Sequence, residues 1–111
     1  MKNLLSLFLF ITLFLIACNK SSDKSLDCVE SAITKFQLES FCNSGSSVKS
    51  YHFQNEVVFV FEEGACGADF TSLVLSSSCD TLGYLGGITG NAIIQGENFN
   101  SASLIGVVWQ Q

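Results

Sequence analysis

The sequence contains no proline and no arginine, and a single histidine. Without proline, turns have to be built from Gly, Asn and Ser, which reach turn geometry through positive φ or short side-chain hydrogen bonds. Without arginine, and with five basic residues against ten acidic ones for a net charge of −5, the chain lacks the cationic surface that dominates nucleic-acid affinity. Nucleic acid is therefore not an expected partner. The one histidine, His52, leaves little from which to make a zinc site, because no two cysteines stand at C-x₂₋₄-C spacing. No metal and no cofactor are expected. The apolar run Leu4–Ile16 is interrupted by Ser6 and Thr12 and falls short of the roughly 20 residues that a spanning helix needs.

That run has another reading. It follows Met1-Lys2-Asn3 and ends at Leu15-Ile16-Ala17-Cys18. A positive start, a short apolar stretch and a small residue at its end are the layout of a secretory signal peptide. The cysteine directly after Leu-Ile-Ala makes the segment resemble a bacterial lipoprotein signal with its lipobox. The resemblance implies cleavage before Cys18, a thioether-linked diacylglycerol on its sulfur and acylation of its amino group. One acyl chain binds a membrane only marginally, at about 0.8 kcal/mol per buried CH₂, whereas two or three on one residue anchor stably. Cys18 is thus the expected lipidation site, and the membrane is an expected partner through it. Asn19 rather than Asp follows the cysteine, which favours the outer membrane, with the chain facing the periplasm or the cell surface. The competing reading is an ordinary signal peptide whose cleavage site happens to precede a cysteine.

Three parts follow: residues 1–17 as signal, 18–24 as a polar lipidated tether, and 25–111 as one domain. The domain keeps Phe36, Phe41, Phe53, Phe59, Phe61, Phe70, Phe99 and Trp109, enough for one core. A chain of this size buries only about 60–65% of its unfolded surface and is often marginal alone. Four cysteines remain after Cys18, namely Cys28, Cys42, Cys66 and Cys79. An even number in a small exported domain reads as two disulfides.

Hydrophobic periodicity supplies the elements. Asp27 and Glu30 are spaced as a capping box, and Val29, Ala32, Ile33 and Phe36 fall on one helical stripe. A helix is expected over Cys28–Phe41, ended by Asn43-Ser44-Gly45-Ser46-Ser47. Val48–Phe53 alternates as a strand, Gln54-Asn55 reads as a tight turn, and Val57–Phe61 is apolar on both faces, as a central strand would be. Phe70–Ser76 alternates again. After Cys79, Gly83, Gly86, Gly87 and Gly90 suggest an irregular loop. A short strand at Asn91–Gln95, a turn at Gly96-Glu97-Asn98 and a final strand at Leu104–Trp109 complete the chain. The expected class is α+β: one N-terminal helix packed on a small antiparallel sheet, a meander of three strands plus the C-terminal strand, with two disulfides.

Winding constrains the pairing. Along one unbroken helix, Cys28 and Cys42 would lie roughly 21 Å apart at 1.5 Å per residue, whereas a disulfide needs Cα atoms within about 7 Å. Cys66 and Cys79 bracket a strand and are separated in the same way. Following the helix down and the meander back and forth places Cys42 beside Cys66 at one end, and Cys28 beside Cys79 at the other. The expected bridges are therefore Cys28–Cys79 and Cys42–Cys66.

Several residues invite a chemical reading. Gly83-Tyr84-Leu85-Gly86-Gly87-Ile88-Thr89-Gly90-Asn91 has the glycines of a phosphate loop but lacks the following helix and lysine. A turn-rich loop is the plainer reading, with Tyr84, Leu85, Gly86, Gly87, Ile88 and Asn91 as a contact loop if exposed. His52 could serve a Ser–His pair, although no G-x-S-x-G elbow occurs; a polar-face strand histidine is the plainer reading. Glu62, Glu63, Asp69 and Asp80 match no calcium loop and read as solvated strand-end charges. Tyr51, Phe53, Phe59, Phe61 and Phe70 read as core rather than as a ligand-binding face.

Tyr51-His52-Phe53-Gln54, Val57-Val58-Phe59-Val60-Phe61, Gly64-Ala65-Cys66-Gly67-Ala68-Asp69, the run Asp80–Asn91 and Gly96-Glu97-Asn98-Phe99 together resemble a family of small, uncharacterised bacterial lipoproteins with a single domain of unknown function. That resemblance implies no activity. The leading expectation is a non-enzymatic, membrane-anchored envelope lipoprotein that binds an envelope protein or glycan partner. The alternatives are a disulfide-stapled protease or lysozyme inhibitor, by fold analogy alone, and a small envelope hydrolase using His52.

Overall fold

Val57–Phe61 has no polar face, so its strand must be covered on both sides. The computed structural model describes residues 23–111 and places this stretch in the middle of a five-stranded sheet. In chain order the elements are α1 (Asp23–Glu39), β1 (Ser47–Phe53), β2 (Glu56–Glu62), β3 (Thr71–Ser76), β4 (Thr81–Gly86), β5 (Ile93–Ile94), β6 (Glu97–Asn98), a 3₁₀ turn (Phe99–Ser101) and β7 (Ser103–Gln110). The large sheet runs β4-β3-β2-β1-β7, antiparallel throughout; β5 and β6 form a separate hairpin. Gln54 and Asn55 join β1 to β2 with φ of 50° and 61°, the positive pair that a type I′ hairpin turn requires.

Strand alternation divides the apolar residues between two cores. Val48, Phe59, Phe61, Leu73, Leu75 and Trp109 pack with Val29, Ala32, Ile33 and Phe36 of α1. Phe36 stands edge-on to both Phe61 and Trp109, with ring centroids 5.4 and 6.0 Å away. On the opposite face, Tyr51, Phe53, Val58, Val60, Val74, Leu82 and Leu85 pack with Ile94, Phe99 and Ala102. This second cover follows from the topology. β4 and β7 lie at opposite edges of the sheet, so residues 87–102 must cross it. With α1 on one face, the crossing takes the other, where Ile94 sits over Gly83 of β4 and Phe99 meets Tyr51 and Phe53 of β1.

Cys28 is bonded to Cys79 and Cys42 to Cys66, with Cα atoms 6.2 and 5.6 Å apart. These are the pairs expected from the winding, and they pin the helix side of the fold at both ends. At the sheet surface, Lys49 Nζ donates to Glu62 Oε2 at 3.1 Å. That hydrogen bond, with the accompanying charge attraction, holds the Lys49 ammonium above its ordinary pKa.

Four expectations are corrected. The helix does not start at Cys28 with Asp27 as its cap; it already runs from Asp23 and takes in the last two residues of the segment assigned to the tether. No Gly or Pro stands between Asp23 and Cys28 to stop it, so Asp27 lies inside the helix. The helix ends at Glu39 rather than Phe41, because the Ser40 hydroxyl turns away to the Ser46 hydroxyl (2.6 Å) and the Cys42 carbonyl (3.3 Å). The meander has four strands, since Thr81–Gly86 pairs with β3 despite its glycines. Glu97-Asn98 is a strand rather than a turn, and the short strand before it contracts to Ile93–Ile94 around a turn at Gln95-Gly96. Gly83 has a packing role: a Cβ there would come within 2.9 Å of the Ile94 side chain. Cys18 and the signal segment lie outside the described residues.

The two bridges close loops of different length, with sequence separations of 51 and 24. Replacing Cys28 and Cys79 together by alanine is expected to cost about 4 kcal/mol, and Cys42 with Cys66 about 3.5 kcal/mol, by the loop-entropy relation. Urea unfolding of both variants checks this: the first should have the lower midpoint.

Candidate contact surface

The Gly83–Asn91 segment separates into residues that build the sheet edge and residues that stand out from it. The outer backbone of β4 is closed by the chain that follows. Gln95 Nε2 donates to the Leu82 carbonyl at 2.9 Å, and Asn91 Nδ2 to the Tyr84 carbonyl at 2.7 Å. Gly86 and Asn91 exchange both backbone hydrogen bonds, at 2.8 and 3.0 Å. Asn91 also donates to the Ile93 carbonyl and accepts from the Ile93 amide. Its side chain is thus committed to the fold. Leu85 is committed as well, packed into the second core.

Gly86 and Gly87 turn the chain with φ of +79° and +76°, a region that costs most residues 1–2 kcal/mol. The Gly87 amide donates to the Phe70 carbonyl at 3.2 Å, and a Cβ on Gly86 would lie 3.1 Å from that oxygen. The turn therefore sits tightly on the start of β3, and the Cys42–Cys66 bridge fixes the loop leading there. On this support Ile88 is 88% exposed and Tyr84 51%. They border an open groove of about 500 Å³ shared with Asp69, Thr71, Gly87 and Thr89. The groove offers an aromatic ring, an aliphatic tip, one carboxylate and three hydroxyls, those of Thr71, Tyr84 and Thr89.

The structure adds apolar residues that sequence reasoning had assigned to the interior. Phe41 is 82% exposed and lies 6.3 Å from Phe70 between ring centroids. Its amide donates to Glu63 Oε2 at 3.2 Å, which holds it outward beyond the helix end. Since the Phe70 carbonyl receives the Gly87 amide, Phe41, Phe70 and the Gly87–Gly90 turn share one end of the domain. The helix expected over Cys28–Phe41 takes in Phe41 only as its last residue; its place off the Val29–Phe36 stripe and within the polar stretch Ser40–Ser47 is the signal in the sequence.

The remaining candidates stay apart. The glycine run has β4 before it and a two-residue strand after it, so no helix N-terminus faces it. His52 is exposed in β1, with Ser103 as its register partner in β7, and no hydrogen bond joins them among the described residues. Glu62 is engaged by Lys49 and by Ser47 Oγ, and Glu63 by Phe41. Among the described residues no three His, Cys, Asp or Glu side chains gather as a metal site.

A family model described as a domain of unknown function, DUF6970, matches residues 34–111. The match begins inside α1 and takes in every strand. No curated protein and no solved structure matches the chain.

The two roles within the segment predict opposite mutational behaviour. Asn91→Ala removes three side-chain hydrogen bonds and is expected to lower stability by about 1–2 kcal/mol. Ile88→Ser and Tyr84→Ala should stay within about 0.5 kcal/mol of wild type. Thermal unfolding of the three variants distinguishes them.

Proposed function

The chain belongs to the DUF6970 family of domains of unknown function, and on that footing we propose that it is a lipid-anchored envelope lipoprotein whose domain is a non-enzymatic binding module. The observation that carries the binding reading is Ile88, almost fully exposed on a turn tied to the sheet by the Gly86–Asn91 pair and by the Gly87 amide on the Phe70 carbonyl. A large apolar side chain costs little to present on a mobile loop, but here two positive-φ glycines and a closed strand edge hold it beside Tyr84. Loops positioned by a rigid scaffold are where binding residues concentrate.

Anchoring rests on Leu15-Ile16-Ala17-Cys18. In this reading the lipid on Cys18 fixes the domain at the start of α1. The turn at Gly87–Gly90 lies at the other end, beyond the helix C-terminus, so the apolar groove points away from the membrane. The partner is an envelope protein or glycan that meets the aromatic ring and the flanking hydroxyls and carboxylate.

Expression of the full chain in a bacterial envelope with radiolabelled palmitate tests the anchor. Label should enter the wild type and vanish in Cys18→Ser; label retained in that variant contradicts lipidation there. Crosslinked capture from the same envelope tests the groove. Ile88→Ser with Tyr84→Ala should weaken capture at least tenfold, about 1.4 kcal/mol, while His52→Ala leaves it unchanged. Turnover of a substrate that His52→Ala abolishes would establish the hydrolase instead. Stoichiometric slowing of a protease or lysozyme would establish the inhibitor.

A further inference from the structure

Strand register joins the groove at Tyr84 to a second one. Leu73 of β3 is the partner of Tyr84 in β4, and Thr71 is the partner of Gly86. Leu73 lies on the helix-covered face of the sheet, so alternation puts Thr71 and Tyr84 on that face as well. The core under α1 draws on β1, β2, β3 and β7 and, among the described residues, takes nothing from β4. Tyr84 is left half-exposed beside the helix layer. Next to it, between α1 and β3, Phe36, Phe61, Leu73 and Leu75 line an apolar cavity of about 270 Å³. The Leu73–Tyr84 pair connects this cavity with the groove bordered by Thr71, Asp69 and Ile88. Gly86 contributes no side chain between Tyr84 and Ile88, which leaves a slot there beside Thr71 and Asp69.

The two parts differ in charge. The apolar cavity has one base and one acid in its lining, Lys35 and Glu39. The slot has Asp69 and, among the described residues, no lysine or histidine. The ion pair on the sheet surface, Lys49 with Glu62, lies elsewhere. In a chain of net charge −5, the slot is complementary to a cation. A positive group placed there meets a carboxylate and an aromatic ring, both of which attract it.

We propose that the joined grooves seat an extended polypeptide segment of the partner, with a lysine or arginine side chain in the slot against Asp69 and Tyr84 and an apolar side chain in the cavity against Leu73 and Phe36. The proposal rests on the binding reading above and narrows its partner to a polypeptide. An extended chain running along β3 directs alternate side chains to one face, so it reaches both parts at once. A glycan fits less well. The one side-chain amide in the groove, that of Asn91, is spent on the Tyr84 and Ile93 carbonyls, and the cavity beyond Tyr84 offers sugar hydroxyls mainly carbon.

Fluorescence anisotropy of a labelled peptide on the full chain in detergent tests this. The probe is Leu-Ser-Ser-Ser-Lys-Ser-Ser-Ser-Leu, which sets a leucine four residues from the lysine in either chain direction, the spacing of Leu73 from Asp69. It should bind at least about tenfold tighter than the same peptide with glutamate for lysine, and the preference should shrink as salt rises from about 0.05 to about 0.5 M. Asp69→Asn should weaken binding about fivefold; asparagine also accepts the φ of 63° at this position. Equal binding of the two peptides, no binding of either at about 1 mM, or displacement of the probe by an N-acetylglucosamine tetramer would overturn the proposal. So would unchanged affinity in a folded Asp69→Asn. If that variant does not fold, the two peptides on the wild type decide. Should the proposal fail, envelope capture separates the two readings: capture that still depends on Ile88 and Tyr84 leaves the binding module standing, and capture indifferent to both removes it too.

Discussion

The structure depends on the burial of both faces of β2. Val58 and Val60 point one way, Phe59 and Phe61 the other. Each such side chain gains about 1.5–3 kcal/mol on full burial, so a sheet exposed on one side would forgo half of what holds a domain this small together. A single amphipathic helix can cover only one face. The second cover has to come from the chain after β4, and the crossing of residues 87–102 provides it with Ile94 and Phe99. Phe99 meets both Tyr51 and Phe53, with ring centroids 5.2 and 5.0 Å away.

That crossing has consequences at both edges. As it leaves β4 it satisfies the outer backbone of that strand through Asn91 and Gln95, and so builds the firm turn that displays Ile88 beside Tyr84. As it arrives at the far side it delivers β7 to the outside of β1, where among the described residues no further strand pairs with it. One closed edge with a contact groove and one open edge with an uncharged strand are thus two results of one connection. The disulfides work on the other layer. Cys28–Cys79 and Cys42–Cys66 hold the two ends of the helix layer to the sheet, and the second also steadies the loop on which the Gly87 turn rests.

Much of this is legible in the residues alone. The helix stripe of Val29, Ile33 and Phe36, the two-faced β2 and the turn at Gln54-Asn55 are local patterns, and they were enough to orient the meander and pair the cysteines. The parts that were not legible are non-local. Gly83 weakens the periodic signal of β4, and only the approach of Ile94 explains why a glycine is tolerated there. Asn91 resembles a loop residue until its amide is seen closing the Tyr84 carbonyl. Phe41 closes the expected helix but stands off the Val29–Phe36 stripe, and the bond from its amide to Glu63 holds it to solvent. In the candidate groove, Tyr84 and Ile88 were recognisable from their setting among glycines, whereas Asp69 and Thr71 enter only because β3 lies beside β4.

The central claim is that the second face of the sheet is a packed core, closed by the crossing chain. Ile94, 1% exposed and seated over Gly83, is the side chain on which this rests. Equilibrium urea unfolding of Ile94→Ala, followed by fluorescence of Trp109 on the helix-covered face, tests it most directly. The expected result is one cooperative transition with stability lowered by about 2–5 kcal/mol, the range for truncating a buried isoleucine. A loss under about 0.5 kcal/mol, as for a surface position, would show that the crossing chain does not close a core and would contradict the account.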